Sequence, residues 1–150
     1  MRPWEGSCMI EVALTSRLQQ AANDLFPRAE ARGYHALDER DRTLFCVWLF
    51  CGEVDSGGFR QFFHDDSGSW AVETAQALER IGAEDAAGLL REGMALFPLR
   101  RVPADGGARR DALANLSAEA RRALADLDGR FEPIGSDQVM TRMMQWYFAG

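Results

Sequence analysis

The run His64-Asp65-Asp66 is the densest group of chemistry-bearing side chains in the sequence. An imidazole beside two carboxylates could serve as a general base or hold a metal ion. Three adjacent residues cannot all turn toward one ion, however, and no HExxH or paired CxxC motif recruits the other histidine, His35. His64 therefore reads as a solvent-facing or loop-capping residue, and a small enzyme using it with nearby carboxylates is the least favoured reading. No GxSxG nucleophile turn is present. All 17 basic residues are arginines, which excludes a P-loop lysine, a Schiff-base lysine and other lysine-dependent catalysis. Gly57-Gly58 is a poor phosphate cradle, because acids flank it on both sides and would repel an anion. Cys46 and Cys51 lie about 140° apart around a helix, which suits two core thiols better than one metal site. No catalytic residue, metal or cofactor is assigned.

Charge offers a clearer signal. The 150 residues carry 23 acids against 17 arginines, a net −6 with a pI near 4.9. Residues 1–52 and 86–150 are nearly balanced. The excess sits in residues 53–85, where Glu53, Asp55, Asp65, Asp66, Glu73, Glu79, Glu84 and Asp85 face only Arg60 and Arg80. Some of these acids belong on solvated faces or in helix first turns, where they complement the dipole. As a set they form the candidate partner-binding surface. Direct nucleic-acid binding is disfavoured, since phosphate contacts need a basic face. A basic protein partner is expected instead.

The elements that must position these acids read as helices throughout. Residues 8–26 place Ile10, Ala13, Leu14, Leu18, Ala21, Ala22 and Leu25 close to a helical stripe, with Pro27 and Gly33 expected to mark its end. Asp38, with Asp41 three residues on, predicts a capped start to a helix over about 39–53. That helix is apolar almost all round from Leu44 to Cys51, as a central buried helix would be. Asp55-Ser56-Gly57-Gly58 and Asp65–Ser69 read as turns around the short segment Phe59–Phe63.

Ser69 is the expected cap of a helix to Ile81, with Gly82 as its C′ glycine. A further helix is expected from Glu84 to Phe97, stopping at Pro98. Residues 99–110, with Pro103, Gly106, Gly107 and four arginines, read as an exposed basic loop. Ser117 opens a helix to about Asp128, and the last helix, about 136–148, carries Met140, Met143, Met144 and Tyr147 as a core stripe or dimer surface. No strand alternation appears. The expectation is one all-α domain, residues 1–150, of about six to seven helices. Its N-terminus lacks an apolar leader core, and no run reaches the roughly 18 apolar residues of a membrane span, so a cytoplasmic location is expected.

The stretch Glu53-Val54-Asp55-Ser56-Gly57-Gly58-Phe59-Arg60-Gln61-Phe62-Phe63 resembles the E-x-x-N-G-G-F-x-Q-F-F-x-N signature of the bacterial nineteen-type DNA-mimic proteins. The run Ala77-Leu78-Glu79-Arg80-Ile81-Gly82-Ala83, and residues 86–98, are similar to the family's "A-L-x-x-I-G-A … L-L-x-x-A-x-x-L-F-P". The resemblance covers about residues 37–98. Asp55-Ser56 stands where the family tends to have Asn, and Asp65 occupies the Asn position after the Phe pair. Gly57, Gly58, Phe59, Gln61, Phe62, Phe63 and Gly82 read as structural, with Gln61 as a capping side chain. What the resemblance implies is an all-helical fold, a homodimer, no catalysis, and occupation of the DNA-binding face of a transcription regulator. An immunity or antitoxin-like protein that neutralises a basic toxin is the alternative, because it would use the same acidic surface.

Overall fold

The structure is a computed structural model that describes residues 3–149, and the side chains of residues 14–149. Helix α1 spans Pro3–Arg32 and α2 spans Glu39–His64; α3 is Ala71–Arg80 and α4 is Glu84–Met94. Helices α5 (Gly106–Ala114), α6 (Ala118–Phe131) and α7 (Gly135–Phe148) complete the chain. Short 3-10 turns lie at Tyr34–Ala36, Asp66–Trp70 and Pro98–Arg100, and no strand occurs among the described residues. Among the described residues, seven α-helices form one all-α domain, in agreement with the expected class.

Helix α2 is the axis of the fold, and α1, α3, α5, α6 and α7 all pack against it. Its all-round apolar stretch requires this, since every face must find a neighbour to leave water. Leu44, Val47, Phe50, Phe59, Phe62 and Phe63 are fully buried. Phe50 meets Phe59, Phe62 and Phe131 edge-on, with centroids 5.6–5.8 Å apart. Each ring contributes roughly 2–3 kcal/mol of burial, with edge-to-face packing adding to it. The start of α2 is as expected, with the Asp38 carboxylate accepting the Asp41 N–H at 2.8 Å.

Several boundaries depart from the sequence reading. Helix α1 begins at Pro3 and passes through Pro27 to Arg32, ending at Gly33 with φ +88°. An internal proline removes one ladder hydrogen bond, but contacts on both sides of it hold the helix on. Leu25 is buried, Phe26 packs on Phe45, and Arg28 pairs with Asp41. The side chains of Ile10 and Ala13 lie outside the described residues. Ser69 does not cap α3. That helix grows out of the preceding 3-10 turn, where the Ala71 N–H already bonds the Gly68 carbonyl. Helix α4 ends at Met94, and Leu96 and Phe97 continue only as tighter i→i−3 turns before Pro98.

The largest departure is residues 99–110. Asp105 accepts the Ala108 N–H at 2.8 Å and starts α5, whose Arg109 is completely buried. Gly82 behaves as expected. It adopts φ +84°, and the Gly82 and Ala83 amides close the end of α3 onto Glu79 and Leu78. Ser117 likewise caps α6 through the Ala120 N–H. On α7, Val139, Met143 and Met144 are buried, whereas Met140, Trp146 and Tyr147 remain half-exposed. No helix among the described residues is long and apolar enough to cross a membrane.

Candidate acidic interaction surface

The acids of residues 53–66 are placed by a break in α2. At Gly57 (φ −152°, ψ 18°) and Gly58 (φ +75°, ψ −173°) the helix divides into residues 39–56 and 59–64. A second half-helix started this way needs partners for its first amides. The Phe59 N–H finds one on another helix, donating to Asp128 Oδ1 of α6 at 2.8 Å. A Cβ on Gly58 would lie 2.4 Å from the Asp128 carboxylate. A Cβ on Gly57 would lie 2.0 Å from the side-chain oxygen of Gln61. Gln61 is not a cap. Its amide donates across the break to Glu53 at 2.8 Å and ties the two halves together.

The other end of this segment is held by Arg109. Its guanidinium donates to the carbonyls of Phe63 (2.5 Å), Asp65 (2.9 Å), Pro103 (3.1 Å) and Ala104 (3.2 Å), and to the Ser69 hydroxyl (3.0 Å). A cation at a helix C-terminus also complements the dipole. Burial, then the neighbouring Arg110, lowers the pKa of Arg109, and five hydrogen bonds offset the loss of hydration. The loop carrying Asp65 and Asp66 is thus fixed from beneath.

Between these two anchors, Glu53, Asp65 and Asp66 come together. With His64 and Arg110 they line a groove of about 420 Å³ whose apolar wall is Phe45, Leu49 and Trp70. Trp70 stacks on Tyr34, centroids 4.3 Å apart and planes 29° off parallel. Burial raises the pKa of Glu53, which the Gln61 amide opposes, and the Asp65 carboxylate pushes it up again. Hydrogen bonds from His64, then Glu53, hold Asp65 below the usual carboxylate range. His64 is exposed, with Nδ1 3.0 Å from Asp65 Oδ1. Among the described residues, no three His, Cys, Asp or Glu side chains are grouped to hold a metal ion.

The remaining acids go elsewhere. Asp55 is two residues beyond Glu53, about 200° around the helix, and accepts the Ser136 hydroxyl at 2.6 Å beside α7. Glu79 is paired with Arg91. Glu73 is half-buried, near Tyr34 and Cys46. Glu84 and Asp85 are exposed in the first turn of α4, in a cleft shared with Ile134, Gln138 and Arg142 of the α6–α7 region. The acidic segment therefore folds into separate groups and not into one strip. Sequence reasoning missed Trp70, Phe45 and Arg110 as neighbours of the acids. Only the Trp directly after the 65–69 turn offered a local hint.

Comparison with known proteins gives one informative match. The family model described as DMP19-like protein matches residues 35–149. No curated protein and no solved structure gives a significant match. The matched region is longer than residues 37–98, where the sequence resemblance is plain, and it takes in both distant anchors, Arg109 and Asp128. Asp128 holds the Gly57-Gly58 joint and Arg109 the far end of the segment after it, so the signature and the helices that complete it fall within one matched unit. The chain belongs to the DMP19-like protein family.

Proposed function

We propose that this protein is a non-enzymatic DNA mimic that presents carboxylates to the DNA-binding face of a basic regulatory protein. The observation that carries this reading is the family match over residues 35–149, which spans every acid of the charged segment. The exposure of Asp55, Asp66, Glu84 and Asp85 supports it, because none of the four is held in an ion pair among the described residues. Duplex DNA presents one negative charge per roughly 1.7 Å of axis. A net −6 is modest against that density. A two-fold dimer would double the charge and could set two acidic groups side by side. Solution size measurement tests the dimer.

The decisive experiment captures the partner from native cells and challenges the complex with duplex DNA and with salt. DNA should displace the protein, and affinity should fall steeply as salt rises. Reversing Asp66, Glu84 and Asp85 to lysine should abolish capture. Salt-insensitive binding that duplex DNA leaves intact would sink the reading.

A further inference from the structure

We propose that the groove lined by Trp70, Phe45, Glu53, Asp65 and Asp66 is a receptor for one arginine side chain of the partner protein. The source of that arginine rests on the DNA-mimic reading, whereas its chemistry rests on the groove itself. Three carboxylates line the groove against one guanidinium, Arg110; Asp65 is engaged by His64, which leaves Glu53 and Asp66 to meet an incoming group. The excess of negative charge disfavours an anionic occupant and favours a cation. A volume of about 420 Å³ admits one long side chain with its flanking backbone.

The apolar wall selects among cations. Trp70 is braced by its stack on Tyr34 and by edge contact with Phe45, so its remaining surface is a fixed part of the wall. A guanidinium can lie on such a ring while its fork meets a carboxylate, which a lysine ammonium cannot reproduce. The aromatic cluster already takes one guanidinium from the chain itself, since Arg42 lies over Tyr34 at 5.6 Å from the ring centre. The same pairing recurs elsewhere, with Arg40 over Tyr147 at 3.9 Å. Arg110 is the built-in competitor at the groove edge.

The test titrates labelled tri-arginine and tri-lysine peptides into the full-length protein at low salt, read by fluorescence anisotropy. The arginine peptide should bind about two- to fivefold more tightly, the range of an exposed cation–π contact. Glu53→Gln and Asp66→Asn should each weaken both peptides about two- to fivefold, and Arg110→Gln should tighten both. Trp70→Leu should erase the arginine preference. Because that change also removes the Tyr34 stack, the wild-type Trp70 indole N–H resonance gives a second readout and should shift with the arginine peptide.

Equal binding of the two peptides, or an unmoved Trp70 resonance, overturns the proposal. Failure of the two readings is separable. A partner displaced by duplex DNA but indifferent to Glu53→Gln and Asp66→Asn removes the groove and leaves the mimic. Arginine-selective binding without any DNA-displaceable partner does the reverse.

Discussion

The Asp128 carboxylate of α6 accepts the backbone N–H of Phe59 at 2.8 Å, across 69 residues of chain. One helix thus supplies the N-cap of another, and the break at Gly57-Gly58 is stabilised by a residue no local pattern could nominate. Replacing an N-cap carboxylate costs about 1–2 kcal/mol. Asp128→Ala should lower unfolding stability by that amount in urea denaturation. Gly58→Ala should cost about 2–3 kcal/mol, since it adds left-handed strain to the clash with Asp128. The double variant should be less destabilised than the sum, because the clash partner is gone. Strict additivity would show that the two residues do not share the joint.

Arg109 is the second long-range anchor. Arg109→Met would strand the carbonyls of Phe63, Asp65, Pro103 and Ala104 in a buried site. A loss of about 3–5 kcal/mol is expected, comparable to breaking a buried charged network. Arg109→Lys should recover only part of it, because an ammonium cannot reach all these oxygens from one plane. Thermal unfolding of the two variants checks both magnitudes.

Glu53 carries a pH signature. Its pKa is raised in the fold, mainly by burial, so the folded state favours the neutral form. That stabilising preference is present below the ordinary glutamate pKa and is lost as pH rises through the raised value. Gln at this position imitates the neutral form and can still accept the Gln61 amide. Glu53→Gln should therefore be more stable than wild type at pH 7, with the difference shrinking as pH falls toward 4. A gap that persists unchanged at low pH would contradict this origin. Asp65 runs the other way. Its pKa is lowered, chiefly by His64, so its contribution is present at neutral pH and lost as pH falls through the lowered value.

The thiols of Cys46 and Cys51 should be inert in the native protein. Burial pushes them up to about 11 and about 12, and thiolate is the reactive form. Mass mapping after iodoacetamide at pH 8 should find both unmodified, and both fully alkylated once the chain is unfolded. Rapid native alkylation of either would refute their placement in the core.

Local rules made a large part of this fold legible. Asp38, Ser117 and Gly82 act as the caps that their types and spacing predict, because capping is settled within a few residues of chain. The apolar stretch after Leu44 is the central helix for an equally local reason, its lack of a polar face. Pro27 stays inside α1 because contacts with α2 hold the helix on both sides of it. Ser69 does not cap α3 because its hydroxyl donates to Ala104 and accepts from Arg109, while the 3-10 turn leads directly into the helix.

The amino-acid sequence by itself determined the helical class, an interruption around Asp55–Gly58 that the structure narrows to Gly57-Gly58, and the concentration of net charge in residues 53–85. Tertiary structure alone decided what those charges became. Glu53 and Asp55 leave α2 on nearly opposite sides, Glu79 is spent on Arg91, and Asp66 joins Trp70 in a groove. It also decided that Arg109, in a stretch that reads as solvated loop, is buried to the last atom. The physical reason is common to all of these. A charge is counted along the chain, but its hydration, its partner and its neighbours are set by residues dozens of positions away.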